Sequence, residues 1–209
     1  MNVSPDELAV TSQTSKRVGQ VWNVPNALSM ARLILALGVG VLIEWGAFLL
    51  ALIVFLIAAS TDFLDGWWAR KFDQVTKLGR ILDPFVDKII ITAALIALVG
   101  ATGSQVSAWM VTVIIGREFL VTSIRAMVEG SGGDFSARWL GKWKMVVQCA
   151  AVVASLLLLH QTFDQASESI AWLQWTTLAL MWLAVIITVA SGWDYVVQAI
   201  KLSRKGSVR

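Results

Sequence analysis

Charge is what this sequence has least of. Of 209 residues only 15% are Asp, Glu, Lys or Arg, while 57% are hydrophobic; a soluble domain carries roughly a quarter charged residues. That shortage excludes an ordinary water-soluble globule and points to an integral membrane protein. Cysteine is nearly missing too. Cys149 stands alone in an apolar run, so no disulfide framework organises the chain and the thiol reads as core filling. The one histidine, His160, lies near the far end of a predicted helix and reads as an interfacial residue. No internal repeat is visible. Residues 1–20 lack the basic start and apolar stretch of a signal peptide; Pro5, Asp6, Glu7 and a Ser/Thr-rich run stand there instead. They are expected to form a cytoplasmic or interfacial leader, disordered or lying at the membrane surface.

Long apolar runs fill the rest. They predict helices over Asn26–Ile43, Trp45–Lys71, Gly79–Val99, Val106–Val128, Arg138–His160 and Ile170–Lys201. At about 20 apolar residues per span, this length holds roughly six spans and no separate soluble domain. The expectation is therefore an all-α integral membrane protein: six transmembrane helices in a single bundle over 21–202, with a basic tail at 203–209.

Charge of one sign is also missing where it matters. The far-side loops, around Glu44, at 100–105 and at 161–169, contain no Lys or Arg, and all 17 basic residues lie in the remaining segments or the helix halves nearest them. The positive-inside bias then puts both termini on the cytoplasmic side. Ten of the 11 tryptophans fall near predicted helix ends, all but Trp182, as in an interfacial aromatic belt. The pI near 9.2 follows from this one-sided charge and from anionic headgroups, so nucleic acid is not an expected partner.

Against this background Asp62, Asp65, Asp83 and Asp87 stand out. A charged side chain at a helix centre in a bilayer costs about 3 kcal/mol on lenient scales, so such residues are functional candidates. At 100° per residue, Asp62, Asp65, Gly66, Ala69 and Arg70 fall within an arc of roughly 140°, opposite Phe63, Leu64, Trp67 and Trp68. Gly79, Asp83 and Asp87 recur every fourth residue and give a second acidic face. Pro84 is tolerated there only near the helix start. The loop 71–78 would let the two helices run antiparallel, with both faces near one membrane surface.

Four carboxylates in a partly dehydrated site cannot all ionise without cations. Oxygen ligands without His or Cys favour Mg2+ or Mn2+. Two ions would balance four charges and suit phosphoryl transfer, where metals stabilise the attacking and leaving oxygens. Structural ion pairs with residues such as Arg70 explain one or two carboxylates, not four on two faces. A divalent-cation transporter would need acidic residues continuing to the far side, and that half is almost uncharged.

The spacing of Asp62, Asp65, Gly66, Ala69, Arg70, Gly79, Asp83 and Asp87 resembles the signature of the CDP-alcohol phosphotransferase family at every fixed position. The resemblance implies six transmembrane helices, a homodimer, and a cytoplasm-facing site for a CDP-linked lipid and divalent metal. It implies that the four aspartates ligate the ions, that Asp87 also serves as general base, and that Gly66, Ala69, Arg70, Thr76 and Gly79 belong to the CDP-lipid site. Asn26, Ser29 and Arg32 resemble the family's opening Asn/Thr/Arg element, with serine keeping the hydroxyl. Taken on its own residues, Arg32 either snorkels to headgroups or faces the bundle and meets a phosphate.

The acceptor is read from basic residues. Arg117, Arg125, Lys142 and Lys144 suggest an acceptor that itself carries a phosphate, arginine suiting a bidentate contact and lysine a point charge. Lys142 and Lys144 are about 200° apart on a helix, so both cannot point squarely at one site. Arg117 could instead pair locally with Glu118, and the lysines could serve as cytoplasmic anchors. The Gly116-Arg117-Glu118, Arg125 and Gly141-Lys142-x-Lys144 elements, with Ser191, Gly192 and Tyr195, resemble the phosphatidylglycerophosphate synthase branch of the family. Met145 stands where that branch commonly has threonine. The resemblance implies CDP-diacylglycerol and sn-glycerol 3-phosphate as substrates, in a bacterial cytoplasmic membrane. Phosphatidylinositol phosphate synthases are the nearest rival, because their acceptor is also phosphorylated.

Overall fold

The computed structural model describes residues 24–72, 77–130, 139–163 and 171–206, with side chains over 30–61, 86, 88–128, 143–163 and 171–200. Six helices and no strand occur among the described residues: α1 (Val24–Glu44), α2 (Phe48–Phe72), α3 (Lys77–Gly100), α4 (Ala108–Gly130), α5 (Trp139–Phe163) and α6 (Ala171–Gly206). The all-helical expectation holds, and each helix lies within a few residues of its predicted range. Trp143–Phe163 and Ala171–Ile200 are long and apolar enough to cross a membrane, while Phe48–Thr61 and Lys88–Gly100 are shorter apolar stretches.

One detail of α3 differs from expectation. The helix begins at Lys77 and runs through Pro84, which is therefore interior rather than near the start. Proline has no N–H, so the carbonyl of Arg80 loses its usual i+4 donor within an otherwise continuous helix. The helix starts two residues before the expected Gly79, taking in Lys77 and Leu78.

The short connections are set by local chemistry. α1 ends in a Schellman motif: Gly46 has φ +74°, its N–H donates to Ile43 O at 3.0 Å, and Ala47 N–H donates to Leu42 O at 2.9 Å. Glycine fits because the left-handed region carries no Cβ penalty for it. Beyond α3, the buried Ser104 hydroxyl donates to Leu98 O at 2.7 Å and accepts from Val106 N–H at 3.2 Å, closing the turn into α4.

The core is aliphatic. α1 packs against α2 and α3, α6 against α4 and α5, and α2 meets α5 between the two groups. Ala36, Val39, Ala51, Phe55, Ala94, Leu98, Ala151, Val152 and Leu156 sit at its centre, where small residues let helix backbones approach closely. The outward face is also apolar, with Ile34, Leu37, Phe119, Trp172, Trp175 and Trp193 well exposed. An apolar exterior of this extent marks a surface that water does not cover in the working protein.

Candidate functional site

Helix direction brings the polar residues together. Trp109 meets Trp182 in a tilted contact with ring centroids 5.4 Å apart, Arg117 bonds to Ser191 and Arg125 to Tyr195. Contacts thus advance in the same sense along α4 and α6, so these two helices run parallel. α5 lies between them in sequence and returns antiparallel to α6, with Gln148 Nε2 donating to Thr188 Oγ1 at 3.2 Å. The C-terminal half of α4, the first turns of α5 and the C-terminal half of α6 meet at one end of the bundle.

At that junction Glu118 is the hub. Its Oε1 accepts from Lys144 Nζ and from Arg117 Nη1 at 3.3 Å. Arg117 Nη2 donates to Ser191 Oγ at 2.9 Å, and that hydroxyl in turn donates to Thr188 O at 3.0 Å. The Tyr195 ring lies beneath both guanidiniums, 5.5 Å from Arg117 Cζ and 5.9 Å from Arg125 Cζ, within cation–π range. Its hydroxyl is 3.2 Å from Arg125 Nη2. Nearby on α3, Lys88 Nζ donates to Thr122 Oγ1.

Space for Arg117 comes from a missing side chain. A Cβ at Gly192 would stand 2.9 Å from Arg117 Cγ, closer than real Cβ contacts come, so α6 admits the arginine stem only because this position is glycine. Burial then makes the charges matter: the Arg117, Glu118 and Lys144 side chains are 10%, 14% and 8% exposed. Taking such groups out of water costs several kcal/mol per ion unless hydrogen bonds and counter-charges offset it. Of the four charged groups Arg117, Glu118, Arg125 and Lys144, three are cations, and the Nε atoms of Arg117 and Arg125 are buried without a hydrogen-bond partner among the described residues. The cluster therefore has positive charge and donor capacity left over for an anion.

The sequence-derived candidates distribute as follows. Arg117, Arg125 and Lys144 are brought together, and the local pair of Arg117 with Glu118 exists as one arm of this network. Lys144 is buried and faces Glu118. The side chain of Lys142 is outside the described residues. Arg32 on α1 is 1% exposed, so it faces the bundle interior and does not snorkel. Asn26 and Ser29 lie on the same helix, with side chains outside the description. Asp62, Asp65, Gly66, Ala69 and Arg70 lie on the helical backbone of α2, and Gly79, Asp83 and Asp87 on that of α3; their side chains are likewise outside it, and Thr76 is outside altogether. The helical backbone at 62–65 and 83–87 keeps each aspartate pair one turn apart.

Glu118 as a two-armed hub, and Ser191, Gly192 and Tyr195 as the bed for the arginines, had not been picked out as site residues. Their spacing at i, i+1 and i+4 on α6 is the signal that could have found them, since it places a hydroxyl, a gap and a ring on neighbouring surface. The Gln148–Thr188 pair follows the same logic, because Gln148 lies one turn beyond Lys144.

Comparison with known proteins identifies the family. Residues 22–190 match the family described as CDP-alcohol phosphatidyltransferase. A Bacillus subtilis protein named CDP-diacylglycerol–glycerol-3-phosphate 3-phosphatidyltransferase is 40% identical over 191 residues, covering 84% of this chain and 94% of its own. Proteins of the same name from Cereibacter sphaeroides and Escherichia coli K12 are 31% and 30% identical, each covering 83% of this chain and 94% and 93% of their own lengths. With the family match spanning most of its length and these relatives aligned nearly end to end, this chain belongs to the CDP-alcohol phosphatidyltransferase family.

Proposed function

We propose that this protein transfers the phosphatidyl group of CDP-diacylglycerol to sn-glycerol 3-phosphate, releasing phosphatidylglycerol phosphate and CMP. The observation that carries this reading is the convergence of Arg117, Arg125 and Lys144 around Glu118, Ser191 and Tyr195. Among these described groups the cations outnumber the one carboxylate, which suits an acceptor that carries a phosphate. The names of the curated relatives supply the same acceptor.

In this reading the protein is a six-span bundle covering 21–202, both termini and the site lie at the cytoplasmic face of a bacterial inner membrane, and two copies form a homodimer. The one-sided placement of Lys and Arg supports the orientation, and the apolar exterior supports the membrane. Asp62, Asp65, Asp83 and Asp87 hold Mg2+ or Mn2+, two ions; an all-carboxylate donor set spaced one turn apart on helical backbone fits hard divalent cations. When bound, the ions neutralise the carboxylates and the diphosphate oxygens of the donor.

The chain's own residues do the rest. Asn26, Ser29, Arg32, Gly66, Ala69, Arg70, Thr76 and Gly79 hold the CDP portion of the lipid. Arg117, Arg125, Lys144 and Lys142 hold the acceptor's phosphate, leaving its primary hydroxyl free to approach the donor. Asp87 takes the proton from that hydroxyl, the oxygen attacks the β-phosphorus, and the bond to the CMP oxygen breaks. Arg70 steadies the charge that develops on CMP.

The test is CMP release from CDP-diacylglycerol by purified protein offered one acceptor at a time. Turnover with sn-glycerol 3-phosphate well above that with inositol 1-phosphate, serine or phosphatidylglycerol is the expected result. Absence of turnover with glycerol 3-phosphate, alongside turnover with another acceptor, would reassign the chain within its family.

A further inference from the structure

Arg117 is held by residues that have no part in the chemistry above. Ser191 and Gly192, adjacent on α6, act on the same side chain in different ways. The Ser191 hydroxyl accepts from Nη2 and fixes the far end of the guanidinium. The hydroxyl spends its own proton on Thr188 O, so its lone pairs stay directed at the arginine. Gly192 acts at the stem, leaving open the volume that Arg117 Cγ occupies, where a Cβ would come within 2.9 Å. Both positions are interior, Ser191 at 1% exposure, and α6 backbone cannot retreat without disturbing the neighbouring contacts of Thr188 with Gln148.

We propose that Ser191 and Gly192 are positioning residues that set the affinity for the phosphorylated acceptor through Arg117 without touching the acceptor themselves. An arginine left to itself samples many rotamers, and fixing it beforehand removes that entropy from the binding step. With room for its stem at Gly192 and its tip bonded to Ser191, the guanidinium is held in one place before the acceptor arrives. The inference rests on the reading of Arg117 as an acceptor-phosphate ligand.

The experiment measures CMP release by the full-length protein in CDP-diacylglycerol vesicles, varying glycerol 3-phosphate and the donor lipid separately, for Arg117→Ala, Gly192→Ala, Ser191→Ala and the Arg117→Ala/Gly192→Ala double variant. Gly192→Ala is expected to raise KM for glycerol 3-phosphate about tenfold, the scale of one hydrogen bond to a charged group, with KM for the donor unchanged within about twofold. Ser191→Ala, which deletes one oxygen and leaves packing intact, is expected to give a selective rise of about threefold to tenfold. In the Arg117→Ala background Gly192→Ala is expected to add little, because the atom it would strike is gone.

A rise in both KM values, an unchanged acceptor KM in Gly192→Ala, or additive effects in the double variant would overturn the inference while leaving Arg117 as a ligand. If Gly192→Ala does not fold, Ser191→Ala decides, and an unchanged acceptor KM there overturns it equally. Arg117→Ala with normal acceptor KM would overturn the reading of Arg117 itself.

Discussion

The loops that close α1 onto α2 and α3 onto α4, and the junction of α4, α5 and α6, all bury polar groups but satisfy them differently. At the loops every partner is close in sequence: Gly46 and Ala47 reach back to Ile43 and Leu42, and Ser104 serves Leu98 and Val106. At the junction the inter-helix bonds join residues 26 to 74 positions apart. The local arrangement uses its buried hydroxyl twice, as donor and as acceptor. The junction leaves Arg117 Nε and Arg125 Nε without a hydrogen-bond partner among the described residues and gathers charge that costs stability to bury. Groups held at a cost and left incompletely used belong to function, whereas groups fully spent nearby belong to folding.

This contrast is open to direct test, since variants at the polar end should lose activity with little change in melting and those at the loops should do the reverse. The largest effect is expected for Asp87→Asn, the proposed base, with CMP release falling by about 10²- to 10⁴-fold; retained turnover would remove Asp87 from that role. Lys144→Met keeps the buried stem but takes away one cation, leaving Glu118 to Arg117 alone. It is expected to lower kcat/KM for glycerol 3-phosphate about tenfold, with thermal unfolding in detergent near that of the parent. Ser104→Ala takes the hydroxyl from Val106 N–H, while Leu98 O keeps its bond from Ala101 N–H at 3.1 Å, so the cost is that of one unmet buried donor, about 1–3 kcal/mol. Its melting temperature should drop while turnover per folded molecule stays unchanged, and a comparable loss of turnover would blur the division. Smallest is Gly46→Ala, which forces a side chain into the left-handed region at about 1 kcal/mol, read as a modest melting shift with full activity.

Much of this was legible beforehand. The six helices followed from apolar runs broken by Gly, Ser and charge, because a segment that buries its backbone polar groups away from water must satisfy them internally. The aspartate spacing was legible too, since helical periodicity alone relates Asp62 to Asp65 and Asp83 to Asp87. Pro84 departs from the local rule because a helix held by packing on α1 tolerates one lost hydrogen bond that local propensity would not. The pairing of Lys144 with Glu118 depends on how α5 meets α4, which the spacing of the lysines along one helix does not give.

The helices, their order, the clustering of basic residues in particular segments and the family were all readable from composition and from spacing within one helix. Only the tertiary structure decided that Glu118 bridges Arg117 to Lys144, that Tyr195 underlies both arginines and that Gly192 makes room for one of them. Those facts depend on which faces of α4, α5 and α6 meet and how closely, and no periodicity within a single helix encodes the distance to its neighbour.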